Sequence, residues 1–324
     1  MRQITLILLI LTSIASAEEK KLSANISLLF DYSGKTTAPI DITKGLEFAV
    51  SELKTKDIDL VLSKFDSGKT ALSAGNMARQ AAQGNPDIMV GEVRSSRAFV
   101  VAEVAEEKKI PFITPFATSP QVTENKNFSF RACFDDDFQG SALARFARKD
   151  LSASKAIVVW DASQLYSKVL AFSFKASFEK SGGTIIDDIK INSKISDFSQ
   201  IITAIKKLKP DLIFLPVYES VAARFVNKGI ESGLRTYKLL GGDGWGSSKQ
   251  FQDLIYSKKI DLEAYWPSHY SNDKRDPKLA DISAKFLKQT GEKMNASTAI
   301  GYDTAMIIAQ ALRIKRKDQT LPDA

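Results

Sequence analysis

The stretch Asp87–Phe116, DIMVGEVRSSRAFVVAEVAEEKKIPFITPF, predicts a strand, a helix and a second strand. Two short apolar runs, Asp87–Val93 and Ile110–Phe116, lie on either side of a segment with the apolar spacing of a helix. Continuous apolar runs are typical of parallel strands covered on both faces, and parallel neighbours need a crossover between them. This stretch therefore predicts one strand–helix–strand unit of an α/β fold.

The same pattern recurs along the chain in two series. The first series begins at Asn25–Tyr32 and ends at Ile110–Phe116. The second begins at Lys155–Asp161, continues through Asp211–Tyr218 and ends at Tyr237–Gly244. A chain of 324 residues is long enough for about two domains of ordinary size. We therefore predict an α/β protein with two Rossmann-like lobes, each built on a parallel sheet and joined by a hinge.

The segment Phe130–Gly140, FRACFDDDFQG, lies between the two series and is the predicted crossing between the lobes. Two further helices are predicted near Leu279–Thr290 and Ser297–Ile314, and they could return to the first lobe. The predicted division of the chain is residues 18–136 with 265–324 for the first lobe, and residues 137–264 for the second.

The first 17 residues predict a secretory signal peptide. Arg2 is followed by the apolar run ITLILLILTSIA, which is too short to span a membrane, and by small residues at Ala15 and Ala17. Glu18, and not a cysteine, follows the predicted cleavage point, so no lipid anchor is expected. We expect a soluble, periplasmic mature protein.

The composition excludes several classes of protein. Hydrophobic residues make up 44% and charged residues 26%, which is typical of a globular protein and not of a disordered or collagen-like one. The net charge of +7 comes without a run of five basic residues, so nucleic-acid binding is not expected. Cys133 and His269 are the single residues of their types, which disfavours an internal disulfide, a metal site and a Ser–His–Asp triad. We therefore expect no enzyme and no cofactor, Cys133 as a small buried residue, and His269 as a satisfied or exposed side chain in a hinge.

Candidate binding residues follow the predicted strands. In open α/β sheets, ligands bind beyond the carboxyl ends of the strands. The residues found there are Ser95, Ser96, Ala117, Thr118, Tyr166, Tyr218 and Asp243. Trp245, two residues after Asp243, is expected to pack in the core or a hinge, and it is also a candidate for the rim of a cleft.

This set of residues suits a molecule that carries both an ammonium and a carboxylate. Hydroxyls and amides at the starts of helices, as at Ser95 and Thr118, can hold a carboxylate. The carboxylate of Asp243 and the carbonyl oxygen of Ala117 can accept from an ammonium. Taken singly, Ser95 and Thr118 could instead be helix N-caps, and Asp243 could be a turn residue before Gly244.

The stretch VGEVRSSRAFVVAEVAEEKKIPFITPFATSPQVT resembles the branched-chain amino-acid binding proteins of ABC importers, which have the type I periplasmic binding protein fold. The same family is resembled by four later segments, which occur in the family's order along the chain: FRACFDDDFQG, KPDLIFLPVYES, LLGGDGWG and GYDTAMIIAQAL. Nearly the whole chain after the predicted signal peptide is covered.

The resemblance implies a role for each candidate. Ser95 and Thr118 would hold the ligand carboxylate, with Ser96 beside them, and the Ala117 carbonyl would accept from the ammonium. From the second lobe, Tyr166 and Tyr218 would close over the ligand and Asp243 would pair with the ammonium. The resemblance also implies a monomer that delivers a neutral aliphatic amino acid to a membrane ABC permease. Family members continue with a segment that crosses back to the second lobe, and we expect this segment to be missing from a sequence that ends in QTLPDA.

Other functions are compatible with parts of the sequence. A sensor subunit would use the same cleft, and relatives that bind amides, ureas or organic acids need no partner for an ammonium. If Arg94 or Arg97 faced the cleft, an acidic side chain would be favoured. A secreted α/β hydrolase is disfavoured, because the sequence has no G-x-S-x-G motif and a single histidine.

Overall fold

The computed structural model describes residues 21–34, 36–54, 57–234, 237–257, 262–271 and 276–320. The predicted signal peptide, residues 1–17, lies outside the described residues, as do residues 321–324.

The first lobe is built on a five-stranded parallel sheet. Its strands are β1 (Leu22–Phe30), β2 (Ile58–Asp66), β3 (Ile88–Gly91), β4 (Phe112–Thr114) and β5 (Ser129–Arg131), in the order β2-β1-β3-β4-β5. The helices between them are α1 (Ala38–Lys54), α2 (Ala71–Ala82) and α3 (Ser95–Lys108). The stretch Asp87–Phe116 thus forms the strand–helix–strand unit that its sequence predicts.

The second lobe repeats this architecture. Its strands are β6 (Lys155–Asp161), β7 (Thr184–Ile191), β8 (Leu212–Phe214), β9 (Lys238–Leu240) and β10 (Glu263–Tyr265), in the order β7-β6-β8-β9-β10. Its helices are α4 (Asp136–Lys149), α5 (Leu165–Lys180), α6 (Ser199–Leu208), α7 (Glu219–Glu231) and α8 (Lys249–Tyr256). The prediction of two parallel α/β lobes is confirmed.

Each sheet has an apolar core on both faces. In the first lobe, α2 and α3 cover one face, and α1 covers the other together with α9 (Pro277–Thr290) and α10 (Ala296–Thr320). In the second lobe, α4 and α5 cover one face, and α6, α7 and α8 cover the other. Burial on both faces is why the strands are continuously apolar in sequence.

The last two helices return to the first lobe, where α10 crosses α1 at two glycines. A Cβ atom on Gly45 would lie 2.0 Å from the carbonyl oxygen of Thr298, and one on Gly301 would lie 2.1 Å from that of Ile42. The two helix backbones are therefore in direct contact, which only glycine permits at these positions.

The strands beside the cleft are shorter than the sequence predicts. The apolar run Ile110–Phe116 contains only β4, because the Thr114 hydroxyl accepts from the Ala117 amide at 3.1 Å and turns the chain out of the sheet. The run Asp211–Tyr218 contains only β8, and Pro216 within it has no amide to donate to a neighbouring strand. The residues released in this way form loops at the carboxyl edges of the two sheets.

Candidate ligand-binding cleft

The carboxyl edges of the two sheets enclose a cavity of about 20 Å³. Five of the predicted binding residues line it, namely Ser95, Thr118, Tyr166, Tyr218 and Asp243. Arg94, Arg97, Phe116 and Glu219 also contribute to its wall. Residues far apart in sequence are brought together because each follows a strand whose carboxyl end faces the other lobe.

The first-lobe wall offers hydroxyl and amide groups. Ser95 is the first residue of α3 and Thr118 follows β4, and both are buried. The Ser95 hydroxyl accepts from the Ser119 amide at 3.3 Å. Four amides at the start of a helix have no partner inside it, so the start of α3 presents a partial positive charge to the cavity.

The second-lobe wall offers a carboxylate that is held in place. One oxygen of Asp243 accepts from the Gln139 side-chain amide at 2.9 Å, and the other lies 3.2 Å from Nε2 of His269. The Asp243 backbone amide donates to the Gln139 side-chain oxygen at 2.9 Å. The carboxylate is 3% exposed, so it keeps a fixed orientation in a site with little water.

His269 supports this carboxylate from the segment that leads back to the first lobe. Its ring stacks on Phe134 with the ring centres 4.1 Å apart, and it meets Phe116 edge-on at 4.6 Å. The sequence predicted a satisfied or exposed hinge histidine, and the side chain is buried with Asp243 as its partner.

A second carboxyl group, that of Asp136, lies close to Asp243. The Gln139 side-chain amide donates to both, reaching Asp136 at 3.3 Å. Burial, and then the nearby charge of Asp243, raise the pKa of Asp136 well above its ordinary value. The sequence did not single out Asp136 or Gln139, although both lie in the predicted crossing.

The two tyrosines form a stacked pair on the second-lobe side, with ring centres 4.9 Å apart. The Tyr166 hydroxyl accepts from the Gly244 amide at 3.3 Å. Burial is the main cause that raises the pKa of both tyrosines, so both are neutral hydrogen-bonding groups at neutral pH. A Cβ on Gly242 would lie 2.0 Å from the Tyr166 hydroxyl oxygen, so a glycine lets this side chain reach the cleft.

Ser96 and Ala117 lie outside the wall of this cavity. The Ser96 hydroxyl accepts from the Leu165 amide of the second lobe at 3.5 Å, nearer the mouth of the cleft. The carbonyl oxygen of Ala117 accepts from the Arg131 guanidinium at 3.1 Å. The Cys133 thiol is a second, weak donor to this oxygen at 3.7 Å, so a ligand ammonium at Ala117 would replace the thiol.

Two other expectations concern residues near the cleft. The Cys133 side chain is partly buried near the Ala117 carbonyl oxygen, 3.7 Å away, and burial raises the pKa of its thiol. Of the two alternatives for Trp245, packing in the core is confirmed and a place at the rim is wrong. Trp245 is fully buried in the core of the second lobe, where its indole N–H donates to the Val217 carbonyl at 2.9 Å.

A family model for periplasmic binding proteins matches residues 23–320. The chain belongs to the periplasmic binding protein family. This is a family of solute-binding proteins. None of the helices among the described residues is long and apolar enough to cross a membrane.

Known members of this periplasmic binding protein family resemble the chain over most of its length. The Leu/Ile/Val-binding protein BraC3 of Rhizobium johnstonii is 27% identical over 251 residues, which cover 76% of this chain and 68% of that protein. The structure of the leucine-binding protein LivK of Thermotoga maritima has a TM-score of 0.81 at 28% identity, and covers 90% of this chain and 83% of that one.

A further solved structure shows the fold. LivJ of Streptococcus pneumoniae, a branched-chain amino-acid transporter substrate-binding protein in complex with isoleucine, has a TM-score of 0.79 at 24% identity, and covers 89% of this chain and 83% of that one.

Proposed function

We propose that this periplasmic binding protein captures an α-amino acid between its lobes and delivers it to a membrane ABC permease. The observation that carries the proposal is the opposed chemistry of the two walls. The hydroxyls of Ser95 and Thr118, and the amides at the start of α3, lie across the cavity from a buried carboxylate at Asp243. A molecule with a carboxylate at one end and an ammonium at the other matches both walls.

Each site residue has a proposed role. Ser95, Ser96 and Thr118 bind the ligand carboxylate, while Asp243 and the Ala117 carbonyl accept from the ammonium. Tyr166 and Tyr218 cover the ligand from the second lobe. The relatives support this reading, because BraC3 and LivK are named for branched-chain amino acids, as the resemblance of the sequence to neutral aliphatic binders also indicates.

Capture requires the lobes to move. A cavity of about 20 Å³ is little more than the roughly 10–15 Å³ that one water molecule needs. An amino acid is larger, so it must enter while the lobes are apart. Contacts to both walls then stabilise the closed arrangement relative to the open one.

The proposal also covers export, location in the cell and oligomeric state. The chain is exported by the signal peptide of residues 1–17 and acts in the periplasm as a monomer without a lipid anchor. It binds no nucleic acid and catalyses no reaction. The two moving bodies are residues 18–136 with 265–324, and residues 137–264. Tyr270 packs in the first-lobe core, which supports this division, but Tyr265 and Trp266 still pack with the second lobe, so the return crossing is a few residues later than residue 265.

The test is a thermal-shift screen of the purified protein against the amino acids and related metabolites. A ligand at 100 times its dissociation constant raises the free energy of unfolding by about 2.7 kcal/mol. We expect one or a few α-amino acids to stabilise the protein, and mass analysis to recover them unchanged. Stabilisation by amides or organic acids alone would contradict the proposed site.

A further inference from the structure

A second cavity lies between the lobes, at the mouth of the cleft. It measures about 380 Å³ and shares Arg94, Arg97 and Tyr218 with the wall of the inner cavity. We call it the outer chamber. Three of the residues that line it are cationic, Lys69, Arg94 and Arg97, and most of the others carry hydroxyl or amide groups. None of the described residues in this lining is acidic.

The three cations differ in how their charge is balanced. The charge of Arg97 is paired within the first lobe, because its guanidinium bonds Glu92 at 2.7 Å and Asp31 at 3.1 Å. Lys69 is exposed at the chamber and has no ion pair among the described residues. A positive charge therefore remains on the chamber wall.

Arg94 is only partly engaged. One terminal nitrogen, Nη2, donates to Glu219 of the second lobe at 3.0 Å, and the guanidinium lies 3.9 Å above the Tyr218 ring. Within the described part of the chain, Nε and Nη1 have no hydrogen-bond partner, and 27% of the side chain is exposed. The three N–H groups on these two nitrogens are thus left for an acceptor in the chamber.

We propose that the captured amino acid carries an anionic side-chain group, the carboxylate of an acidic amino acid, that binds Arg94 and is attracted by Lys69. This inference rests on the proposed function and narrows its substrate class. Arg94 directly precedes Ser95, so a ligand whose α-carboxylate binds at Ser95 has Arg94 beside it. A guanidinium pairs with a carboxylate through two parallel hydrogen bonds, and the side of Arg94 away from Glu219 has donors to spare.

An apolar side chain at this place would be unfavourable. It would cover the remaining N–H groups of Arg94 without offering an acceptor, and burying an unpaired charged donor is costly. Glutamine tests the charge directly, because it has the shape of glutamate without the negative charge.

The experiment is isothermal titration of the protein with L-glutamate, L-aspartate, L-glutamine and L-leucine. We expect an acidic amino acid to bind at least about tenfold more tightly than glutamine and leucine, as for a hydrogen bond to a charged group. Arg94→Met should remove this preference. Lys69→Met leaves the inner wall intact. It should reduce the affinity for acidic amino acids by a smaller factor than Arg94→Met does, and it should make that affinity less dependent on salt concentration.

The matched control is Lys180→Met, which removes an exposed charge at the end of α5. It should leave the preference for acidic ligands unchanged. Each variant is checked for an unaltered circular dichroism spectrum, and Lys69→Met keeps the test valid if Arg94→Met does not fold.

The outcomes separate this inference from the proposed function. If leucine, or glutamine, binds the unaltered protein as tightly as the acidic amino acids, the inference is overturned while amino-acid capture stands. If succinate binds as tightly as glutamate, recognition of an anionic group in the outer chamber stands and recognition of an ammonium by Asp243 fails. If none of the amino acids binds, both proposals are wrong.

Discussion

Asp243 combines a fixed position with a charge, and the two properties can be separated. Asp243→Asn keeps an oxygen for the Gln139 amide and a polar group for His269, so the local structure should persist. A ligand ammonium would then face an amide in a buried site. Losing one partner of a buried ion pair costs roughly 3–5 kcal/mol.

We therefore expect Asp243→Asn to weaken amino-acid binding by about a hundredfold or more, the low end of that cost. Titration calorimetry measures the affinity, and thermal unfolding without ligand should change little. Asp150→Asn, at an exposed aspartate after α4, is the control and should bind normally. Normal binding by Asp243→Asn would mean that the ligand has no ammonium at this position.

Asp136 should make stability depend on pH in a defined direction. Its pKa is raised in the folded protein, so the folded state holds this proton to a higher pH than the unfolded chain does. Stability is therefore lost as the pH rises from the unfolded pKa of about 3.9 towards the raised folded value. An asparagine at this position cannot ionise, so the variant does not lose stability in this way as the pH rises.

We expect Asp136→Asn to have the melting temperature of the unaltered protein near pH 4 and a higher one at neutral pH. Differential scanning calorimetry across this range measures the gap. Asp137→Asn, next along α4 and exposed, should show no such growing gap. A gap for Asp136→Asn that stays constant with pH would show that the carboxyl is ionised throughout.

The sequence identifies the residues that follow strands, but not the residues that hydrogen-bond to them and hold them in position. Ser95, Thr118 and Asp243 were found because strand ends predict the edge on which ligands bind. Gln139 was missed because it lies 104 residues from Asp243 in the chain and on a helix with no motif of its own. For His269 the sequence predicts a satisfied or an exposed side chain, and the structure shows the first, with a partner that depends on how the chain returns between the lobes.

At the scale of elements, hydrophobic spacing predicted the helices well and their ends less well. The second terminal helix was predicted over Ser297–Ile314, and α10 extends to Thr320. The helical spacing of apolar residues stops at Ile314, so the pattern does not predict that the helix continues beyond it. Charged contacts continue past this point, because Arg316 in the extension lies 3.5 Å from Asp57, which Arg313 also contacts at 2.8 Å.

The crossing of α1 and α10 gives a prediction about a helix. Alanine at Gly301 would gain about 1 kcal/mol of helix propensity, but its Cβ would lie 2.1 Å from the Ile42 carbonyl oxygen. Relief of this clash must separate two backbones, and overpacking typically costs about 1–3 kcal/mol. We expect Gly301→Ala to lower the free energy of unfolding in a urea titration by about that amount.

Gly229→Ala is the matched control for this effect. Gly229 is also inside a helix, but its Cβ would meet the end of the flexible Leu234 side chain at 3.3 Å. This substitution should be neutral or stabilising. If both variants lost the same stability, the backbone contact between α1 and α10 would not be the cause.

At the scale of the whole molecule, ligand binding should make the protein more compact. The lobes touch near the cleft through Arg94 and Glu219 at 3.0 Å and through Ser96 and Leu165 at 3.5 Å. A ligand that contacts both walls adds to these bonds and shifts the population towards the closed arrangement. We expect small-angle X-ray scattering to show a smaller radius of gyration with saturating ligand.

Asp243→Asn provides the control for the scattering experiment. At the same ligand concentration it should keep the radius of gyration of the ligand-free protein, because one wall no longer holds the ligand. An unchanged radius for the unaltered protein with bound ligand would mean that one lobe binds it alone.

The two sheets have the same strand order, so β3 corresponds to β8 and β4 to β9. A half-turn that exchanges the lobes would place Tyr218 where Ser95 lies and Asp243 where Thr118 lies. Two identical halves would make a symmetric cleft, which could bind a ligand in two equivalent orientations. Because the carboxylate of Asp243 lies on one side only, opposite Thr118, the two sides of the cleft differ in charge. In the proposed binding mode, every captured amino acid points its ammonium to the second lobe, and the proposed permease would meet each one in a single orientation.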